Sequence, residues 1–94
     1  MKLTETCLDA FGDQCQYNYD EFMELPELFQ NALIIEFFDS VGIYILPLWN
    51  KQYWYSDIRN KKYYLLSQTD YFNSRTEATN EAIIKANDLY NENN

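Results

Sequence analysis

IYILPLWNKQYWYSDIRNKKYYLL, residues 43–66, is the stretch that decides the fold. Ile43-Tyr44-Ile45-Leu46 is β-branched and aromatic, and Pro47 follows it closely. Tyr53-Trp54-Tyr55-Ser56-Asp57-Ile58 is a second strand, reached through Trp49-Asn50-Lys51-Gln52. Arg59-Asn60-Lys61 is a turn, and Lys62-Tyr63-Tyr64-Leu65-Leu66 is a third strand. Connections this short join neighbouring antiparallel strands, so the stretch predicts a three-stranded meander. Proline cannot donate to a ladder, so the Pro47 end of the first strand belongs at an edge or a bulge.

Upstream, the period changes to that of a helix. Pro26 suits the first turn, where its missing N–H costs nothing, and Glu24 and Glu27 favour the same end of the dipole. Leu25, Leu28, Phe29, Ala32 and Leu33 recur at helical spacing, and Ile34, Ile35, Phe37 and Phe38 widen the apolar girth. Such a helix is expected to be buried on more than one side. Asp39-Ser40 and Gly42 end it. Earlier still, Leu3, Cys7, Leu8 and Phe11 form one short stripe, with Thr4 as its cap and Gly12 as its stop. Residues 13–24 are expected to be a polar link, with Asp20 a second capping candidate.

Downstream, residues 67–73 are expected to be a loop. Ser74 and Glu77 form a capping box that opens a helix. Its stripe is Ala78, Ala82, Ile83, Ala86, Leu89 and Tyr90, with Glu81 and Lys85 spaced for an ion pair. Residues 91–94 are expected to be a frayed tail. The whole is one α+β domain over residues 1–94, a two-layer fold in which helices pack a three-stranded antiparallel meander in the order α-α-β-β-β-α. From the second helix onward, the element order also matches that of double-stranded-RNA-binding modules.

Charge argues against that function. Residues 1–47 hold Lys2 alone against nine acids, whereas residues 48–94 hold six cations against six acids. Phosphate backbones and anionic membrane surfaces both repel the acidic half, so neither nucleic acid nor membrane is an expected partner. The last helix opens with Arg75 but then carries Glu77 and Glu81, where a double-stranded-RNA module needs lysines. Lys51, Arg59, Lys61 and Lys62 form a small basic group expected near one end of the sheet.

The absence of histidine removes Ser-His-Asp and Cys-His arrangements and the commonest zinc ligand. Two glycines cannot build a phosphate loop. Cys7 and Cys15 do not make a disulfide scaffold, and no cofactor is implied. Glu21 with Glu24, and Glu36 with Asp39, stand at helical spacing and could face a divalent cation, although such pairs are ordinarily a solvated face. No metal site or catalytic residue is assigned, and the chain is expected not to be an enzyme. No basic and apolar leader opens the sequence, and a reduced, cytoplasmic setting is the expectation.

The closing segment FNSRTEATNEAIIKANDLYNENN, residues 72–94, and the middle EFFDSVGIYI, residues 36–45, carry a resemblance. The pattern Ser74-Arg75-Thr76-Glu77-Ala78, then Ala82-Ile83, Ala86 and Leu89-Tyr90, resembles the ending of short uncharacterised proteins of phages and mobile elements of gut anaerobic bacteria. The resemblance implies a small accessory protein and brings no activity or site residues with it.

The informative feature is the surplus of rings in the meander. A sheet with one wet face alternates apolar with polar residues, and this one does not. The helices can cover one face only. Tyr44, Trp49, Tyr53, Tyr55 and Tyr63 are the candidate contact residues for a protein partner or for a second copy in a homodimer. Tyrosine can also stand half-wet on a sheet without a partner. A different expectation is an acidic surface that imitates DNA and occupies a basic cleft on another protein. Its candidates are Asp13, Asp20, Glu21, Glu24, Glu27 and Asp39. A third is a metal-assisted enzyme using Glu36 and Asp39.

Overall fold

Ile45 and Ile58 face each other across the first two strands, and both are buried under helices. That pair fixes which side of the meander meets the rest of the chain. The computed structural model describes residues Met1–Asn94. The elements are α1 (Glu5–Gln14), α2 (Tyr19–Glu24), α3 (Glu27–Ser40), β1 (Tyr44–Trp49), β2 (Trp54–Arg59), β3 (Leu65–Gln68) and α4 (Arg75–Asn93). The strands form an antiparallel sheet in the order β1-β2-β3. Helices α3 and α4 pack on the sheet, and α1 packs on both of them. The fold is α+β, as the sequence predicts, with the short α2 as an additional element.

The core is one cluster. Phe11 meets Phe22 edge-on at 5.2 Å and Phe37 at 5.8 Å between ring centroids. Each buried phenylalanine contributes about 1.5–3 kcal/mol relative to an exposed one. Ala78, Ala82 and Ala86 are buried, and their small side chains let α4 lie close to β2. Ser56 Oγ donates to the Ala78 carbonyl at 3.1 Å, which ties the sheet directly to α4. No buried side-chain polar atom lacks a partner.

Several boundaries differ from the sequence expectation, each for a local reason. Gly12 does not stop α1; the helix runs two residues further and ends at an extended Cys15. Thr4 holds the capping position without capping through its own side chain. Its place is taken by α4: Asn87 Oδ1 accepts from the Thr4 N–H at 2.9 Å, and Asn91 Oδ1 accepts from the Cys7 N–H at 2.8 Å. Asn91 therefore belongs to a helix that extends through Asn93, in place of the expected tail. Within residues 13–24 lies α2, opened by a reciprocal capping box of Asn18 and Glu21.

The face of α3 that is buried also differs. Asn31, Ile34, Phe37 and Phe38 are covered, whereas Leu28 and Phe29 are 69% and 62% exposed. Strand β1 passes through Pro47 rather than stopping before it. Its cross-strand partner Ser56 accepts from the Thr69 N–H, and the Ser56 N–H donates to Thr69 Oγ1, both on the β3 side. The ladder between β1 and β2 therefore loses nothing at Pro47, whose backbone nitrogen is directed to the free edge of an edge strand. Strand β3 begins at Leu65, after a turn in which Tyr63 takes φ 67°, and it reaches Gln68 in the expected loop. Beyond it, Trp54 and Phe72 exchange both backbone hydrogen bonds, at 2.9 and 2.7 Å. At α4, Ser74 Oγ accepts from the Glu77 N–H and donates to the Glu77 carboxylate, so the expected box closes on the hydroxyl and not on the Ser74 amide. Glu81 and Lys85 form no ion pair; the two in the chain are Lys2–Glu27 and Arg59–Asp57.

Candidate functional site: the open face of the sheet

Side chains alternate along a strand, so the register sorts the rings. Ile45, Pro47 and Trp49 lie on the helix side with Trp54, Ser56 and Ile58. Tyr44, Leu46 and Leu48 lie on the other side with Tyr55, Asp57 and Arg59. Tyr44, Leu46, Leu48 and Tyr55 are half-buried, and none packs against the core cluster. They are shielded by one another and by their neighbours on the sheet, not by a helix.

Two clusters stand on this face. The first joins Tyr53, Tyr55 and Tyr71. Tyr71 stacks on Tyr53 with centroids 6.0 Å apart and meets Tyr55 edge-on at 5.7 Å. The bridge between Trp54 and Phe72 holds Tyr71 there. The second is centred on Asp57, which is only 4% exposed although no helix covers it. Arg59 donates to its Oδ2 from Nη2 at 2.9 Å and from Nε at 3.3 Å, and Gln68 Nε2 donates to Oδ1 at 2.8 Å. Arg59 also donates to the Tyr63 carbonyl at 2.8 Å, and its guanidinium lies 5.2 Å from the Tyr63 ring centroid. A planar fork that satisfies a carboxylate, a turn carbonyl and a ring face at once is a job for arginine and not for lysine. Leu65, opposite Arg59, extends the apolar surface, and its neighbours Tyr64 and Leu66 are exposed as well.

Of the residues expected at a contact surface, Tyr44, Tyr53, Tyr55 and Tyr63 thus share the open face. Trp49 does not join them. It lies at the sheet's end on the helix side, 5.4 Å from Trp54, whose other neighbour is the Arg75 guanidinium at 4.6 Å. Sequence reasoning missed Tyr71, which sits in the expected loop and is brought in by a long-range bridge. It also missed Asp57 and Arg59 as a unit. Their i, i+2 spacing in a strand was the available signal, since it places both on one face.

The six acidic candidates are all exposed, but they are not equivalent. Lys2 Nζ lies 3.4 Å from the Glu27 carboxylate, and the Glu21 carboxylate is engaged by the Asn18 N–H. Glu27 and Asp39 stand at opposite ends of α3, roughly 18 Å apart along its axis. Asp13, Asp20 and Glu24 lie on α1 and α2. The Asp39 carboxyl is held above its ordinary range by partial desolvation, with the neighbouring Glu36 charge adding to it. No group of three or more acidic or cysteine side chains is close enough to hold a metal ion. Burial pushes the Cys7 thiol up to about 12, so it is neutral and unreactive at neutral pH. A cleft of about 270 Å³ between α1 and α3 has Cys15 and Glu36 on its walls, without a second charged group to orient a ligand.

The basic group is divided. Lys51 lies in the β1–β2 connection and Lys61 and Lys62 in the β2–β3 turn, at opposite ends of β2. Sequence proximity to Arg59 suggested one cluster; the strand between them separates it into two. No family model, curated protein or solved structure matches this chain. No helix is long and apolar enough to cross a membrane.

Proposed function

We propose that the protein is a non-enzymatic interaction module whose contact surface is the open face of the sheet. One observation carries this reading: every helix that packs on the sheet covers the Ile45–Ile58 side, leaving the rings of Tyr53, Tyr55, Tyr63 and Tyr71 on the other. Tyrosine suits such a surface because it supplies contact area with few rotors and carries a polar tip. The Asp57–Arg59–Gln68 network ties these side chains together before contact, which lowers the entropy lost on binding.

Site-specific photocrosslinking in cells expressing the protein tests it. A benzophenone side chain at position 71 should form discrete adducts, and the same group at the exposed position 88 of α4 should not. Equal or absent adducts at both positions overturn the reading.

A further inference from the structure

The charges are partitioned between the two layers of the fold. Residues 44–72, the sheet and its turns, hold Lys51, Arg59, Lys61 and Lys62 against Asp57 and Asp70. The remaining residues hold only Lys2, Arg75 and Lys85 against thirteen acids. Asp57 is already neutralised by Arg59, so Lys51, Lys61 and Lys62 in the turns at the two ends of this ring-rich layer are opposed by Asp70 alone.

The helical layer carries the counterpart. Leu28, Phe29 and Ala32 are exposed at neighbouring positions of α3, and the preceding helix α2 carries the exposed Tyr19 and Met23. Beside Phe29 is a second cleft of about 270 Å³, walled by Tyr17, Leu25, Ala32 and Leu33. Asp20, Glu21 and Glu24 of α2 and Glu27 at the start of α3 are exposed on the same two helices, Glu27 paired with Lys2. Beside Leu28 and Ala32, Arg75 is the one cation besides Lys2, held over the Trp54 ring. One chain thus presents an apolar face with a basic border and an apolar face with an acidic border, on different layers.

From this complementarity we infer that the partner of the open sheet face is the α2–α3 face of a second copy, in a head-to-tail arrangement. This rests on the open face being a contact surface. Sheet against sheet would set Lys51, Lys61 and Lys62 against themselves, and α2–α3 against α2–α3 would do the same with Asp20, Glu21 and Glu24; like charges across an interface oppose association. Sheet against α2–α3 matches sign to opposite sign and ring to cleft. A head-to-tail contact leaves one unused face at each end, so it grows into a ring or a filament and does not stop at a dimer.

Two variants test it. Tyr53→Ser with Tyr71→Ser disables the sheet face, and Leu28→Ser with Phe29→Ser disables the helical face; none of the four belongs to the core. Sedimentation of the unaltered protein at rising micromolar concentration should show masses beyond two chains, reduced by added salt. Each variant alone should remain at the one-chain mass of 11.3 kDa. Mixing the two should produce a dimer that goes no further, because each supplies the face the other lacks. Unaltered protein that stays monomeric, that stops at two chains, or variants that fail to recombine would overturn the inference. The benzophenone at position 71 separates this from the reading beneath it. Self-adducts mapping to α2–α3 support both. Adducts solely to other proteins overturn the self-partner and leave the contact surface standing. No adduct removes both.

Discussion

Replacing Arg59 by alanine should be the most damaging single change on the open face. It deletes two hydrogen bonds to Asp57, one to the Tyr63 carbonyl and the stacking on the Tyr63 ring, and leaves Asp57 with Gln68 alone. Hydrogen bonds to charged groups contribute about 1.5–3 kcal/mol each, and an exposed cation–π contact about 0.5–1 kcal/mol. Breaking a fully buried ion pair costs about 3–5 kcal/mol. Here that is an upper bound, because the Arg59 side chain is 27% exposed and water can enter its place. The expected loss is about 2–4 kcal/mol, which lowers Tm by roughly 10–25 °C in a domain of this size. Urea titration and thermal melting of Arg59→Ala, Asp57→Asn and the double variant give the coupling directly. It should be about 1.5–3 kcal/mol, since Asp57→Asn leaves an arginine that solvent can reach but Arg59→Ala strands a carboxylate. A coupling below about 0.5 kcal/mol would make this an ordinary surface pair and refute the claim that it orders the face.

Three further outcomes are expected. Asn87→Ala removes both the acceptor for the Thr4 N–H and the donor to Thr4 Oγ1, so it should cost about 1–2 kcal/mol in urea titration and speed amide exchange at the start of α1. Iodoacetamide should label Cys15 and spare Cys7 in the native protein; because the folded Cys7 thiol ionises near 12 against 9.0 when unfolded, stability intact below pH 9 should fall as pH rises towards 12, and this slope should shrink in Cys7→Ala. Gly42→Ala should lower stability by about 1–2 kcal/mol, since φ is +80° and the added carbon would lie 2.6 Å from Lys61 Cε; in a Lys61→Ala background about 1 kcal/mol of backbone strain should persist in thermal melts.

The sheet and α4 were legible because their periods differ and their punctuation is strong: Ser74 with Glu77 opens one, and short polar turns separate the strands of the other. The buried side of α3 was not legible. A helix with Leu28, Phe29, Ile34, Phe37 and Phe38 around its girth has no single apolar stripe, and only contact with α4 and β1 chooses one. Tyr63 and Tyr64 favour a strand locally, but the turn at Asn60, whose side chain accepts from the Lys62 and Tyr64 amides, takes them out of it. Tyr44 and Tyr55 share the open face because alternation in a strand is geometric, whereas Tyr53 and Tyr63, just outside the strands, are held there by Tyr71 and Arg59. Tyr71 and the exposure of Leu28 and Phe29 depend on partners far away in sequence, which no local pattern records.

The helper asparagines of α4 have a consequence for biosynthesis. Asn87 and Asn91 reach residues 83 and 84 positions earlier to satisfy amides of α1. A nascent chain leaving the ribosome therefore exposes the first helix long before anything can finish its free end. Phe11 can settle on α2 and α3 early, but the amides at the start of α1 stay unsatisfied until the meander and most of α4 have emerged, so the molecule closes in a late step that draws its early and late segments together.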